Sequence, residues 1–289
     1  MWIVESPLSY FQKFCINIVK AGRVPRHVAF IMDGNRRYAT KSNMRKVEGH
    51  VKGFDKLSQT LQWCFELGIQ EVTVYAFSIE NFKRSKEEVD YLMELAKEKF
   101  RKLHDEKNKI MELGVCIRVI GNLDLLPEDT RKLIAEAVIM TKDNNKLFLN
   151  IAFAYTSRDE LTTAVKNILK GVELGLINPD DINEKLISQC LYTNHSRDPD
   201  LLVRTSGEVR FSDFLLWQIW NTNVCFAEVL WPDFCLWHLL ASVFQYQRCY
   251  ADIQKYQPTQ KIEQSTKVKK FLQYLDEKRS AQIEMYAKT

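Results

Sequence analysis

VAFIMDGNRR, residues 28–37, joins five apolar residues directly to a carboxylate, a glycine, an amide and two guanidiniums. A short apolar run that ends in turn-forming residues predicts a buried strand followed by a turn. Open α/β sheets bind ligands at the carboxyl ends of their strands, so we expect Asp33, Arg36 and Arg37 at a binding edge. A carboxylate beside two arginines fits a magnesium diphosphate. From this stretch alone, a surface turn with an ion pair fits equally well.

The length and composition of the chain are those of one large α/β domain or two small ones. Its 289 residues are 46% hydrophobic, which is ordinary for a globular protein with a full core. The net charge of +4 is spread along the chain, whereas a nucleic-acid binder usually concentrates its basic residues. The seven cysteines include no CxxC pair and no zinc spacing, which predicts reduced core thiols in a reducing compartment.

Apolar and β-branched runs alternate with amphipathic segments along the chain. The runs predict strands at residues 28–32, 71–77, 115–120, 147–153, 201–203 and 224–230. The segments predict helices at residues 47–67, 85–112, 213–220 and 236–248, after Pro127, and after a capping box at residues 157–160. This alternation predicts an α/β fold, a mostly parallel six-stranded sheet flanked by helices. Since no repeat or linker interrupts it, we expect one domain over residues 23–250 and a helical extension over residues 251–289.

Residues 1–22 are expected to form a separate amphipathic helix that starts at Ser6-Pro7. One helical face carries Leu8, Phe11, Cys15, Ile18 and Val19. Such a helix could lie at a membrane interface, or it could pack on its own domain or on a partner, and both interpretations stay open. No apolar run is long enough to cross a bilayer, and no secretory signal is expected.

Polar side chains follow three of the predicted strands where each strand ends. They are Asp33, Arg36 and Arg37, then Ser78, Asn81 and Arg84, and then Arg204, Arg210 and Ser212. Because parallel strands share one carboxyl edge, these side chains should lie together. Their guanidiniums would repel one another unless anions lie between them, and the fork of arginine matches phosphate oxygens. A single aspartate suits magnesium, which completes its shell with water and phosphate oxygens.

The sequence GHxxG at residues 49–53 begins a predicted helix soon after Asp33, Arg36 and Arg37. A helix N-terminus aimed at the site favours phosphate, and His50 is a candidate phosphate donor or proton carrier. A lone histidine is more often structural. The chain contains no GxGxxG, no Walker-type GxxxxGK and no GxSxG, so nucleotide loops and a nucleophile elbow of those kinds are not expected.

Five segments of the chain resemble a known enzyme family. HVAFIMDGNRRYA, GHxxG, YAFSIENFKRS, DLLVRTSGEVRFSDFLLWQ and VLWPDF resemble the cis-prenyltransferases, the undecaprenyl and dehydrodolichyl diphosphate synthase family. YAFSIENFKRSKEEVD, with GVCIRVIG and FAYTSR, makes the chain most similar to the eukaryotic dehydrodolichyl branch of that family. The resemblance implies the fold of that family, with an apolar tunnel walled by the second helix, near Trp63, Cys64 and Leu67, and by the long helix at residues 85–112. It also implies magnesium-dependent addition of isopentenyl diphosphate, in cis, to farnesyl diphosphate, which would make long-chain polyprenyl diphosphate for dolichol synthesis and protein glycosylation.

The resemblance assigns a role to each polar residue. Asp33 would be catalytic and hold magnesium, and Ser78 and Asn81 would be catalytic residues near the proton that is lost. The allylic diphosphate would be bound by Asp33, Gly34, Asn35, Arg36, Arg37, His50 and Arg84. Isopentenyl diphosphate would be bound by Arg204, Arg210 and Ser212.

Two departures from the family pattern indicate a heteromer. The sequence has no Arg-x-Gly, which homodimeric members extend into the partner's active site, and Asn223 stands where a metal-binding glutamate is frequent, with Glu228 close by. In the heteromeric eukaryotic enzymes, a Nogo-B-receptor/Nus1-like accessory subunit supplies that motif and the membrane anchor. The expected location is therefore the cytosolic face of the endoplasmic reticulum, as a peripheral subunit.

Two other functions fit the sequence less well. A catalytically silent scaffold subunit of such a complex would not need Asp33 and the full set of arginines. A single-strand nucleic-acid binder is disfavoured because the aromatic residues follow core patterns and no RNP or OB motif occurs.

Overall fold

The computed structural model describes residue 2, residues 7–255 and residues 264–288. These residues form one six-stranded, fully parallel sheet in the order β3-β4-β2-β1-β5-β6. The strands are β1 (His27–Ile31), β2 (Glu71–Ser78), β3 (Val115–Ile120), β4 (Leu147–Tyr155), β5 (Leu201–Arg204) and β6 (Asn223–Phe226). The predicted six-stranded parallel sheet is therefore confirmed.

Helices flank this sheet. In the described part of the chain they are α1 (Tyr10–Lys20), α2 (Asn35–Lys41), α3 (Lys46–Leu67), α4 (Lys86–Asp105), α5 (Lys107–Leu113), α6 (Glu128–Thr141), α7 (Ser157–Glu173), α8 (Glu184–Cys190), α9 (Leu236–Gln254) and α10 (Thr266–Lys288). The tail helix α10 packs on α6 and α8.

Strand β1 explains why the first apolar run is continuous. Val28 and Phe30 belong to the core on one face of the sheet, and Ala29 and Ile31 belong to the core on the other. A central parallel strand is buried on both sides, so it does not alternate with polar residues. Ile31 pairs with Arg204 of β5, so the chain leaves both strands at the same edge.

Several predicted helices differ from the observed ones. The helix predicted at residues 85–112 is broken at Glu106 into α4 and α5, and the short helix α2 was not predicted. The helix predicted at 213–220 is wrong, because this segment forms turns. The capping box predicted at 157–160 is also wrong, since Thr156 caps α7 and the Glu160 side chain is buried elsewhere.

The N-terminal helix starts later than predicted, at Tyr10, with a capping box made by Ser9 and Gln12. Ser6 lies outside the described residues. Ile16 is buried, whereas Phe11 and Ile18, from the face predicted to be apolar, are 65% and 57% exposed. None of the described helices is long and apolar enough to cross a membrane.

Candidate active site

Asp33 and Arg204 meet at the carboxyl edge of the sheet. Arg204 Nη2 donates to Asp33 Oδ2 at 2.8 Å, and the Gly34 N–H donates to Asp33 Oδ1 at 2.7 Å. Burial alone would raise the pKa of Asp33, but the hydrogen bond and the charge of Arg204, together with the Gly34 N–H and the charge of Arg37, leave that pKa below its ordinary value. The carboxylate is therefore ionised at neutral pH.

Gly34 allows this turn because its backbone is left-handed, with φ of 107°. A Cβ at this position would also lie 2.9 Å from a methyl group of Leu230.

Arg204 also contacts the segment that follows β5. Its Nη1 donates to the Ser212 hydroxyl at 2.8 Å and to the Arg210 carbonyl oxygen. The side chain is 2% exposed, and its Nε has no hydrogen-bond partner among the described residues. One buried guanidinium thus forms hydrogen bonds with both Asp33 and Ser212, and its Nε–H is left without a partner among the described residues.

A glutamate that the sequence did not single out lies between two of the predicted arginines. Arg37 Nη2 lies 3.5 Å from Glu208 Oε1, and Arg210 forms an ion pair with the same carboxylate. Arg37 also donates to the Ser206 carbonyl oxygen at 3.1 Å and lies 4.0 Å from Asp33. Both guanidiniums are at least half exposed and can reach a ligand.

A second unpredicted glutamate, Glu88, lies close to two more of the predicted arginines and to His50. Its carboxylate lies 2.9 Å from Arg84, 3.9 Å from Arg36 and 4.0 Å from His50 Nε2. Burial and then the charge of Arg84 lower the pKa of His50 to about 4, so this imidazole is neutral at physiological pH. Its Nε2 is buried without a hydrogen-bond partner among the described residues.

The GHxxG glycines allow α3 to approach the start of α2 closely. A Cβ on Gly49 would lie 2.3 Å from the Asn35 carbonyl oxygen, and one on Gly53 would lie 2.3 Å from Asn35 Oδ1. The two glycines therefore keep Asn35 and His50 on neighbouring helices at the same edge.

Ser78 and Asn81 have mainly local partners. The Ser78 N–H donates to Asn81 Oδ1 at 3.0 Å, and the Glu80 N–H donates to Ser78 Oγ at 3.2 Å. They cap the 3₁₀ turn Ile79–Lys83 at the end of β2. They lie at the predicted edge, but the structure does not join them by a hydrogen bond to Asp33 or Arg204 in the described part of the chain.

Two apolar cavities lie inside the molecule, and of these two only the first begins at this edge. The first, about 140 Å³, starts at Met32, Asn35 and His50, and the second, about 200 Å³, extends to α5 and β3. Trp2 lines both; its indole N–H donates to the Lys99 carbonyl oxygen at 2.7 Å. Of the wall residues predicted on the second helix, Cys64 lines a cavity, whereas Trp63 and Leu67 are core residues outside both linings.

Asp33 fits a magnesium ion as a single protein ligand. Among residues 2, 7–255 and 264–288, no group of three or more His, Cys, Asp or Glu side chains is arranged to hold a metal. Magnesium needs few protein ligands when phosphate and water complete its shell, and Asp33 is ionised and 34% exposed. Asn223 cannot share this site within the chain, because it begins β6 at the opposite edge, whereas Glu228 follows β6 at the site's edge.

Comparisons with known proteins agree on one family. The family model "Putative undecaprenyl diphosphate synthase" matches residues 31–253. The chain is 58% identical over 254 residues to the human "Dehydrodolichyl diphosphate synthase complex subunit DHDDS", which covers 88% of this chain and 76% of the relative. It is 44% identical over 238 residues to the "Tritrans,polycis-undecaprenyl-diphosphate synthase (geranylgeranyl-diphosphate specific)" of Pyrococcus furiosus, covering 82% and 90%.

A solved structure shares the fold. The crystal structure of lavandulyl diphosphate synthase from Lavandula x intermedia, in complex with dimethylallyl diphosphate, superposes with a TM-score of 0.73 at 35% identity. The match covers 78% of this chain and 95% of that chain.

Proposed function

Since this chain belongs to the undecaprenyl diphosphate synthase family, the cis-prenyltransferases, we propose that it adds isopentenyl diphosphate units in cis to farnesyl diphosphate. The observation that carries the proposal is the linked set of Asp33, Arg204 and Ser212, with the unsatisfied Arg204 Nε beside it. The product is a long-chain polyprenyl diphosphate for dolichol synthesis and protein glycosylation. The family match over residues 31–253 supports a catalytic domain at residues 23–250, between the N-terminal helix and the tail.

The two diphosphates are proposed to occupy the two halves of the site. The allylic diphosphate takes the half around Asp33, with Gly34, Asn35, Arg36, Arg37, His50 and Arg84. Isopentenyl diphosphate takes the half formed by Arg204, Arg210 and Ser212. Glu88 and Glu208 hold the guanidiniums in the absence of substrate, and phosphate oxygens replace those contacts when substrate binds.

The chemistry follows from charge and proximity. Departure of the allylic diphosphate builds negative charge on its oxygens, and cations that are already in place stabilise that charge. Asp33 would hold magnesium, which supplies further positive charge to the leaving group. Holding both substrates at one edge makes their coupling intramolecular in effect, and Ser78 and Asn81 lie on the β2 side of that edge, near the proposed departing proton.

The apolar cavities give the growing chain a dry path. The first begins at the allylic half, so the product's hydrocarbon end can extend away from the diphosphates toward Trp2. Burying this hydrocarbon is favourable and keeps water from the reacting carbons.

An accessory subunit of the Nogo-B-receptor/Nus1 type is proposed as the partner. The human and Schizosaccharomyces pombe relatives are both named as subunits of a dehydrodolichyl diphosphate synthase complex, which supports this proposal. Through that partner, the chain would act at the cytosolic face of the endoplasmic reticulum membrane.

The test is incorporation of labelled isopentenyl diphosphate onto farnesyl diphosphate, by the chain with and without the accessory subunit. We expect the complex to be active, the chain alone to be nearly inactive, and Asp33→Ala in the complex to lose nearly all synthesis while staying folded. Asp252→Ala, which removes an exposed carboxylate at the end of α9, is the matched control. Wild-type incorporation by Asp33→Ala would mean that the chain is the silent scaffold, and full activity of the chain alone would refute the need for a partner.

A further inference from the structure

The segment after β5 contains an unusual backbone, which we call the Ser212 turn (residues 212–216). Ser212, Asp213 and Leu215 have φ angles of 48°, 60° and 49°, in the left-handed region that residues with side chains rarely adopt. Such a backbone persists only where surrounding contacts hold it, and it concentrates at functional sites. Specific contacts must therefore hold this turn.

Asp213 attaches the turn to the N-terminus of α7. Its carbonyl oxygen accepts from the Ser157 N–H at 2.8 Å, and its Oδ1 accepts from the Arg158 N–H at 3.2 Å. Arg158 Nε donates to Asp213 Oδ2 at 2.7 Å, and the Asp213 side chain is only 10% exposed. The first N–H groups of a helix have no partner within it and carry partial positive charge, so a carboxylate is well placed here.

Neutral contacts hold the rest of the turn. The Leu216 N–H donates to Ser157 Oγ at 3.0 Å, and the Phe214 ring stacks on Tyr75 with centroids 4.5 Å apart. The Tyr75 hydroxyl lies 3.2 Å from the Ser212 carbonyl oxygen. Among these contacts, Asp213 provides the charged one.

The Ser212 turn also contacts Arg204, one of the residues proposed to bind isopentenyl diphosphate. The Ser212 hydroxyl, one residue before Asp213, accepts from Arg204 Nη1 at 2.8 Å, and Arg204 Nη2 reaches Asp33. A continuous series of contacts therefore leads from the α7 N-terminus through Asp213 and Ser212 to Arg204.

We propose that Asp213 is a positioning residue: by anchoring the Ser212 turn to the N-terminus of α7, it holds the Ser212 hydroxyl and the Arg204 guanidinium where they receive isopentenyl diphosphate. This inference rests on the proposed function. Asp213 does not itself touch the substrate. Its loss therefore acts first on the isopentenyl half of the site, and it reaches the allylic half only through the Arg204–Asp33 contact, so the allylic half should change less.

The test compares Asp213→Ala, Asp213→Asn and Asp213→Gly in the assembled complex. For Asp213→Ala we expect KM for isopentenyl diphosphate to rise by about tenfold, equivalent to ~1.4 kcal/mol, with KM for farnesyl diphosphate within about twofold. Asp213→Asn should recover most of the loss, because its amide oxygen can accept from the Arg158 N–H and asparagine tolerates the left-handed backbone. Asp213→Gly relieves the backbone strain without restoring the anchor, so it should resemble alanine.

Calorimetry with isopentenyl diphosphate alone, without an allylic starter, gives the same comparison without turnover. Asp129→Ala, which removes a carboxylate from the first turn of α6 away from the site, is the matched control and should leave both affinities unchanged. If Asp213→Ala does not fold, the asparagine and glycine variants carry the test.

Wild-type isopentenyl diphosphate affinity in the glycine variant would overturn the proposal, as would equal losses for both substrates. Absence of incorporation by the wild-type complex would instead contradict the proposed function, so the two failures are distinguishable.

Discussion

Replacing Asp33 with asparagine keeps the shape of the side chain and removes its charge. In the structure this carboxylate accepts from Arg204 at 2.8 Å and has a pKa below its ordinary value, despite the opposing effect of burial. The substitution therefore removes a full negative charge at neutral pH. It changes folding stability, ligand affinity and turnover for separate reasons, and each can be measured.

The loss of stability should be moderate. A hydrogen bond between charged groups contributes about 1.5–3 kcal/mol, and the low end applies because Asp33 is 34% exposed and the amide oxygen can still accept. A loss of ~1.5 kcal/mol corresponds to a Tm lower by about 3–6 °C in a domain of this size. Arg204 keeps its contacts with Ser212 and the Arg210 carbonyl oxygen, so the fold should survive.

Turnover should fall, whereas metal-free binding of farnesyl diphosphate should not weaken. Without metal, removing a negative charge beside a diphosphate site should leave the affinity for farnesyl diphosphate unchanged or higher. With magnesium, single-turnover incorporation should fall by about 10²–10³, the cost of losing one group that stabilises departing charge. Calorimetry in a chelator and rapid-quench assays of the complex measure the two quantities.

The reasoning fails if metal-free affinity and turnover fall together, because Asp33 would then act by holding the site's structure. It also fails if incorporation stays within about tenfold of wild type at saturating magnesium.

Three further outcomes are expected. The pKa of His50 is lowered to about 4 in the folded protein, so as the pH falls the unfolded state takes up a proton before the folded state does. The free energy of unfolding, measured by urea titration, should therefore fall by about 2 kcal/mol between pH 7 and pH 5. His50→Gln should abolish that part of the pH dependence. Gly53→Ala should raise KM for farnesyl diphosphate by about tenfold, since the new Cβ would lie 2.3 Å from Asn35 Oδ1; an unchanged KM would contradict this packing argument. Trp2→Ala should join the two cavities and lengthen the products seen by mass spectrometry, whereas Tyr10→Ala, at a residue 96% exposed, should not.

The central part of the fold could be predicted because its signals are local. Strand β1 is apolar throughout because both of its faces are buried in the core, and a turn sequence follows it directly. Ten residues are therefore enough to predict both the strand and the edge of the sheet at which it ends. The meeting of Asp33 with Arg204 then follows from parallel pairing, and the structure has Ile31 opposite Arg204.

The two glutamates of the site could not be predicted in this way. Glu88 lies in the first turn of α4, where an acidic residue is favourable in any helix, so its sequence position gives no functional signal. Glu208 stands between arginines in a polar segment and resembles an ordinary surface charge. Only the folded chain brings each carboxylate within 4 Å of arginines from a different segment.

The error at residues 213–220 has a physical cause. Apolar residues at Phe214, Leu215 and Trp217 imitate the spacing of an amphipathic helix, but buried hydrogen bonds hold the segment differently. Gln218 Nε2 donates to the buried Glu160 carboxylate at 2.9 Å, and Trp217 Nε1 donates to Ser188 at 2.9 Å. Tertiary contacts of this kind override local propensity, and the partners lie 29 and 58 residues away in the sequence.

Arg204 gives a reason why the two halves of the proposed site should not act independently. It contacts Asp33 through one terminal nitrogen and Ser212 through the other, and a guanidinium is rigid and planar. Any displacement of Asp33 when a diphosphate binds must therefore move the donor that faces Ser212, or break one of the two bonds. Because Arg204 is 2% exposed, water cannot easily replace a broken bond, so the cost of independent movement is high. One buried side chain thus links the two proposed diphosphate sites. For this reason, anchoring the turn at Asp213 bears on the reaction that we propose at Asp33.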